Sequence, residues 1–198
     1  MLKIYLIRHG QTEWNLLKQM QGNMNSNLTY QGRTQAMALG NKLKSIKFNK
    51  IYTSSITRAI ETSNLIFPDK MIHASDSLGE IAMGEWEGKT YHKIEEKYPE
   101  EWYNFFNNPF NYLPSTGGES FLQLENRLKN FINTEHMFSQ DGVIAIVSHR
   151  ITLRMFLSIL LKEKQLFSKI DLDPTSLSVV EINNGSCEIN CLNDTSHY

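Results

Sequence analysis

The chain has 198 residues, 40% hydrophobic and 21% charged, with 20 basic and 21 acidic side chains and a formal net charge of −1. It is long enough to bury a substantial core and ordinary in composition for a globular protein. The charge balance excludes a broad polyanion-binding surface, so no nucleic-acid partner is expected and any anion site must be local. No apolar run approaches a membrane span, and the apolar start is too short for a signal peptide, so the expectation is a cytoplasmic protein with no membrane partner. Asn27, Asn184 and Asn193 begin glycosylation patterns that go unused without a secretory signal. Cys187 and Cys191 lie four apart on a segment that reads as a strand, about 13 Å from one another and too far for a disulfide. Adding His197 to them matches no usual zinc spacing.

The first element is an apolar strand, Lys3 to Ile7, that stops abruptly at Arg8-His9-Gly10. In open α/β sheets ligands bind at that edge, and Gly10 lets the backbone turn closely around one. Gln11 to Gln31 is polar and predicts a loop over the strand ends. Thr29 reads as the N-cap of a helix running to about Lys44, with Ala36, Leu39 and Leu43 on one face. Lys50 to Thr53 predicts a second strand. Its hydroxyl-rich exit, Ser54-Ser55-Ile56-Thr57, opens a helix that carries Arg58 in its first turn, where free N–H groups and the helix dipole favour anions. Pro68 closes that helix.

A short extended segment between His73 and Ala82 leads to Glu80. From Met83 to Gly118 the character changes: Trp86, Tyr91, Trp102, Tyr103, Phe105, Phe106, Phe110 and Tyr112 crowd among three prolines. This predicts one or two short helices inserted as a cap, with most of the aromatics packing it onto the core. Glu119 to His136 is the best amphipathic helix and should cover one sheet face. Val143 to Val147 is a continuous apolar strand that ends in Ser148-His149-Arg150, repeating the opening device. Ile151 to Lys162 predicts an apolar helix. Ser176 to Ile182 and Ser186 to Leu192 form a hairpin turned by Asn184-Gly185, followed by a loose tail.

Two histidines at strand ends, two arginines and a carboxylate suit transfer of a phosphoryl group without a metal. Guanidinium groups can neutralise the equatorial oxygens while an imidazole attacks phosphorus in line. There is no Walker loop, His-Glu-x-x-His or Gly-x-Ser-x-Gly element to suggest other chemistry.

The stretch Leu6-Ile7-Arg8-His9-Gly10-Gln11-Thr12-Glu13-Trp14-Asn15 resembles the signature of the histidine phosphatase superfamily, also called the phosphoglycerate mutase-like family. Supporting blocks are Leu28 to Ala36, Thr53 to Thr62, Gly84 to Gly88, Gly117-Gly118-Glu119-Ser120 and Val147-Ser148-His149. The resemblance implies an α/β fold, a three-layer sandwich with a mostly parallel central sheet, helices on both faces and a small inserted helical cap. Residues 1–198 would form one such domain, with the insert at about 83–118. It also implies that His9 is the nucleophile, that Arg8, Arg58 and His149 hold the phosphoryl oxygens, and that Asn15, Gln21 and Gly22 contact the phosphate or His9. Glu80 would protonate the leaving oxygen and then activate water, which calls for a partly protonated carboxyl. No metal and no other cofactor is implied.

The chain departs from the family pattern in two places. Arg150 stands where the family usually has glycine, and reads either as a substrate contact or as a side chain directed to solvent. Between residues 84 and 126 there is no arginine, whereas mutases of the family carry an adjacent pair in the insert to grip a carboxylate. The leading expectation is therefore a phosphatase acting on a small-molecule phosphomonoester. A cofactor-dependent phosphoglycerate mutase is the enzymatic alternative, and a non-catalytic phosphate-binding or interaction protein the alternative from another class.

Overall fold

The computed structural model of the protein describes residues 1–114, 117–139 and 141–198. In chain order the main elements are β1 (Leu2–Arg8), α1 (Glu13–Leu16), α2 (Tyr30–Leu43), β2 (Lys50–Ser54), α3 (Thr57–Ile66), β3 (His73–Ser75), α4 (Tyr91–Lys97) and α5 (Pro99–Asn107). They continue with α6 (Phe121–Thr134), β4 (Gly142–Ser148), α7 (Arg150–Leu160), α8 (Leu166–Lys169), β5 (Leu177–Asn183) and β6 (Ser186–Asp194). The strands form one sheet in the order β3-β2-β4-β1-β5-β6. β3, β2, β4 and β1 run parallel, and the β5–β6 hairpin joins β1 antiparallel. Asn184 and Gly185 both take positive φ, 49° and 80°, as a two-residue turn matched to strand twist requires.

Alternate residues of the central strands feed two cores. Leu2, Ile4, Leu6, Ile144 and Ile146 point to the side covered by α6, α7 and the segment containing α4 and α5. Ile7, Ala145, Val147 and Ile51 point to the side covered by α2 and α3. Burial on both faces is why β1 and β4 read as unbroken apolar runs. The aromatic segment follows the same logic: Trp86 is fully buried, with the rings of Tyr98, Trp102, Phe105 and Tyr112 around it at centroid distances of 5.5–6.4 Å. Among the described residues, no helix is long and apolar enough to cross a membrane.

Three local expectations are corrected. The 11–31 stretch is not all loop, because Thr12 and Asn15 form a reciprocal capping box that closes α1. The first turn of α3 does not keep all its N–H groups free for an anion: its N-cap is Ile56, and the Arg58 N–H is taken by Asn25 Oδ1 at 3.0 Å. The tail is not loose either. β6 runs to Asp194, which pairs with Lys42, and the Tyr198 hydroxyl donates to the Pro174 carbonyl at 2.7 Å.

The β1–β4 register positions the site. Arg8 lies opposite Ser148, so His9 and His149 leave the sheet side by side, and the His9 N–H donates to the Ser148 carbonyl at 2.9 Å. Behind them the backbones of β1 and α2 touch through glycines. A Cβ on Gly10 would lie 2.9 Å from the Gly32 carbonyl oxygen, and one on Gly32 would be 2.8 Å from the Gln11 nitrogen and collide with the Gln11 carbonyl. We expect Gly32→Ala to lower unfolding free energy in urea by about 1–3 kcal/mol, the usual cost of overpacking, although alanine is the better helix former. An unchanged or raised midpoint would show that the contact yields freely.

Candidate active site

His9 has a defined tautomer. Its Nδ1 lies 2.8 Å from the Gly10 carbonyl, which can only accept, so Nδ1 carries the proton and Nε2 keeps its lone pair. That lone pair receives the Arg58 Nε–H at 3.3 Å. Burial, followed by the nearby Arg58 and Arg8 charges, holds the imidazole well below its ordinary value of 6.5. His9 is thus a neutral base with one basic nitrogen.

The two arginines are held by backbone carbonyls. Arg58 is 1% exposed and donates through Nη1 to Met24 O at 2.6 Å and through Nη2 to Gly22 O at 2.8 Å. Arg8 donates through Nη1 to Leu172 O at 2.6 Å, while its buried Nε has no hydrogen-bond partner. Burial lowers each guanidinium from 12.5 to about 10; Arg150 is the next cause at Arg8, whereas Glu80 opposes the shift at Arg58. Both remain cations at neutral pH, fixed without a carboxylate directly on them.

His149 is fully buried, with its ring centroid 5.1 Å from that of His9. Its Nε2 lies 2.8 Å from Ser54 Oγ, which also accepts the Ile56 N–H at 3.2 Å. Nδ1 of His149 is buried with no partner. Burial, then the charges of Arg58, His9 and Arg8, keeps His149 well below 6.5.

Glu80 sits at the start of α7. Its carboxylate accepts from the N–H groups of Ile151 at 3.2 Å, Thr152 at 3.1 Å and Ile81 at 3.0 Å, and the Thr152 hydroxyl, 3.0 Å away, shares its one proton between it and the Gly79 carbonyl at 2.7 Å. A carboxylate on the first turn of a helix meets both free donors and the positive end of the dipole. The loop carrying it is clamped from behind. Arg127 donates to the carbonyls of Ser77 at 2.7 Å and Gly79 at 3.2 Å, and forms a two-bond pair with Glu119. The Glu119 N–H in turn donates to the Ala82 carbonyl at 2.8 Å.

Arg8, His9, Asn15, Gln21, Gly22, Arg58, Glu80 and Arg150 line one cavity of about 50 Å³, while His149 lies behind the wall. Asn15 Oδ1 accepts from both the N–H and the hydroxyl of Thr12, at 2.9 and 3.0 Å, which leaves the amide NH2 as a donor. Gln21 Oε1 likewise accepts from Ser26 at 3.4 Å. Arg150 makes a two-bond pair with Asp171, both distances 2.6 Å. Met20, Met83, Tyr91, Phe105 and Phe106 supply the apolar part of the lining. Among the described residues no group of three or more His, Cys, Asp or Glu side chains is arranged to hold a metal ion, and both cysteines are free.

Sequence reasoning missed Ser54, Asn25, Thr152 and the Arg127–Glu119 pair. Ser54 and Glu119 lay in recognised blocks but carried no role. Asn25 gave no signal beyond lying in a polar loop.

The family model described as histidine phosphatase superfamily (branch 1) matches residues 4–195. The chain is 30% identical over 200 residues to phosphoserine phosphatase 1 of Hydrogenobacter thermophilus, covering 100% of this chain and 94% of that one. It is also 30% identical over 200 residues to the metal-independent phosphoserine phosphatase of Arabidopsis thaliana, covering 98% and 82%. Among solved structures, Bacillus stearothermophilus YhfR superposes with a TM-score of 0.91 at 31% identity, covering 100% of this chain and 99% of that one. With a family model spanning nearly the whole length and the strand-end histidines side by side, this chain belongs to the histidine phosphatase superfamily.

Proposed function

We propose that the protein is a metal-independent phosphomonoester hydrolase that works through a phosphohistidine on His9, with a small-molecule phosphate as substrate. One observation carries this reading: the unprotonated Nε2 of His9 meets a buried arginine at the wall of a cavity that two such arginines line. A neutral imidazole is the nucleophilic form, and buried guanidinium groups offer more to an incoming dianion than exposed ones. The phosphoserine phosphatases among its relatives support the same activity.

In the proposed reaction the phosphate oxygens take the Arg58 Nε–H away from His9, together with the unpartnered Arg8 Nε–H. Nε2 then attacks phosphorus and the ester P–O bond breaks. Glu80, entering in its protonated form, gives that proton to the leaving oxygen and becomes a carboxylate, and in the second half takes a proton from the water that cleaves the N–P bond. The Nδ1–H bond to Gly10 supports the charge that His9 gains as it is phosphorylated. His149, ring to ring with His9, contributes to the charged transition state, and the amides of Asn15 and Gln21 donate to the phosphate beside Gly22. Phosphoglycerate mutase activity is the competing reading, and the same assay separates it by following product identity.

The first test is phosphate release from a phosphomonoester panel in excess chelator, with rapid quench to catch an acid-labile, alkali-stable phosphoenzyme. The parent protein should turn over and form the intermediate, whereas His9→Ala should do neither, with kcat at least about 10³-fold lower. A divalent-metal requirement, or an intermediate that survives His9→Ala, would overturn the mechanism.

Stability should fall with pH for the same physical reason. His9 and His149 are depressed in the folded state, so the unfolded chain binds protons first as pH drops through the ordinary value. Their contribution is whole above pH 6.5 and is lost below it, by up to about 1.4 kcal/mol per pH unit for each histidine. His9→Ala should therefore show a shallower loss than the parent between pH 6.5 and 5.5 in urea titrations. Equal slopes would mean that His9 is protonated within the folded protein.

A further inference from the structure

Beyond the phosphate-binding arginines, the cavity wall carries a third guanidinium whose own partner lies outside the cavity. Arg150, the first residue of α7, lines the cavity, and its Nε and Nη2 both bond Asp171 at 2.6 Å. The Asp171 side chain is 62% exposed and that of Arg150 33%, so the carboxylate sits on the solvent side of the pair. Asp171 is itself tied down, accepting the Leu172 N–H at 2.8 Å. A guanidinium is planar, so two bonds along one edge fix its orientation and direct the remaining NH2 away from that edge. Among the described residues, Nη1 of Arg150 has no hydrogen-bond partner.

The surroundings fit a second anionic group next to the phosphoryl site. Burial first and then the charge of Arg150 lower the Arg8 guanidinium, and the same two causes in that order lower Arg154, from the next turn of α7. Arg154 does not line the cavity; its Nε and Nη2 donate to the Phe167 carbonyl at 3.0 and 2.6 Å. Among the described residues, Arg8, Arg58 and Arg150 line the cavity with Glu80 as its one carboxylate; when Glu80 carries the proton destined for the leaving group, three cations face a phosphate dianion and one positive charge is left for a second anionic group. Tyr91 and Phe106 close the other side of the cavity, and they bring no cation of their own.

We propose that Arg150, oriented by Asp171, selects phosphomonoesters that bear a carboxylate on the carbon skeleton next to the phosphate, by donating its free Nη1 edge to that carboxylate. The proposal rests on the hydrolase reading of the same cavity and adds the substrate class. It also places at the start of α7 an arginine that the 84–126 segment does not contain. Asp171 is a positioning residue here: it never meets the substrate, and it holds the fork so that little rotamer freedom is lost on binding.

O-phosphoserine and phosphoethanolamine differ only by the carboxylate, which makes them the probes. Binding is measured by calorimetry on His9→Ala protein, where turnover cannot intervene, and kcat/KM is measured on the protein with His9 intact. Phosphoserine should bind at least about tenfold tighter than phosphoethanolamine, the yield of one charge-assisted hydrogen-bonded contact. Adding Arg150→Ala should collapse that ratio to about one to three, Arg150→Lys should restore part of it, and Asp171→Asn should fall between. The ratio of kcat/KM values should move in parallel. A ratio near one before Arg150 is changed, or one that persists after it, overturns the proposal, as does a loss shared equally by both esters. If both esters bind with the expected ratio and neither is hydrolysed by the intact protein, the hydrolase reading fails and the carboxylate subsite stands.

Discussion

Two arginines buried beside a neutral histidine set the constraint around which this molecule is built. Taking a guanidinium out of water is costly unless its donors are met. Among the described residues no acidic side chain bonds directly to either one. Arg58 is satisfied by the carbonyls of Gly22 and Met24, and Arg8 by that of Leu172. Carbonyl dipoles meet hydrogen-bonding demand without cancelling charge, so the positive potential survives for an anion. A carboxylate in their place would stabilise the empty site and compete with the substrate.

That solution dictates the loops. Residues 20–25 must fold back over the start of α3 to bring two carbonyls and Asn25 to Arg58, and the capping box of α1 turns the chain toward them. The strand into β5 must pass near β1 to offer Leu172, which the antiparallel pairing of β5 on β1 provides. The docked tail reinforces this connection, since Tyr198 bonds the Pro174 carbonyl two residues further on. On the far side, Glu80 caps α7 directly after His149. The acid and the second histidine are therefore fixed by one helix start, and neither can move without the other.

The sequence made the reacting groups legible because each is a distinctive side chain at a strand or helix boundary. Arg8, His9 and His149 follow apolar runs that only a doubly covered sheet uses, and Arg58 opens a helix. What escaped is what holds them. Carbonyl groups have no sequence signature, so the cradle of Arg58 could not be read from Gly22 or Met24. The Ser54–His149 contact joins residues 95 apart, and depends on β2 lying beside β4 in the sheet. Nothing in the amphipathic pattern of α6 marks Arg127, which reaches back to Ser77 and Gly79 because α6 crosses the sheet on the side where that loop emerges. The hydroxyls near Arg58 suggested an anion site at the helix terminus. In the structure Ser54 serves His149 and Ser55 bonds Asp76, so the anion is left to the guanidinium groups.

The division of labour within the cavity follows from rigidity. His9, Arg8, His149 and Glu80 sit on or against β1, β4 and α7, elements buried on both sides, where packing fixes side chains within narrow limits. The apolar lining comes instead from Met83, Tyr91, Phe105 and Phe106, which belong to the segment between β3 and α6. Phe105 is itself part of the ring cluster around Trp86, so this wall is anchored in the same core and presents mostly apolar surface to the substrate, with Tyr91 its one polar-tipped ring. Such surface can exclude water from a phosphohistidine but cannot orient a charged skeleton. Polar discrimination must then come from the catalytic side of the cavity, where the arginine that α7 contributes to the lining is Arg150, held in place by Asp171.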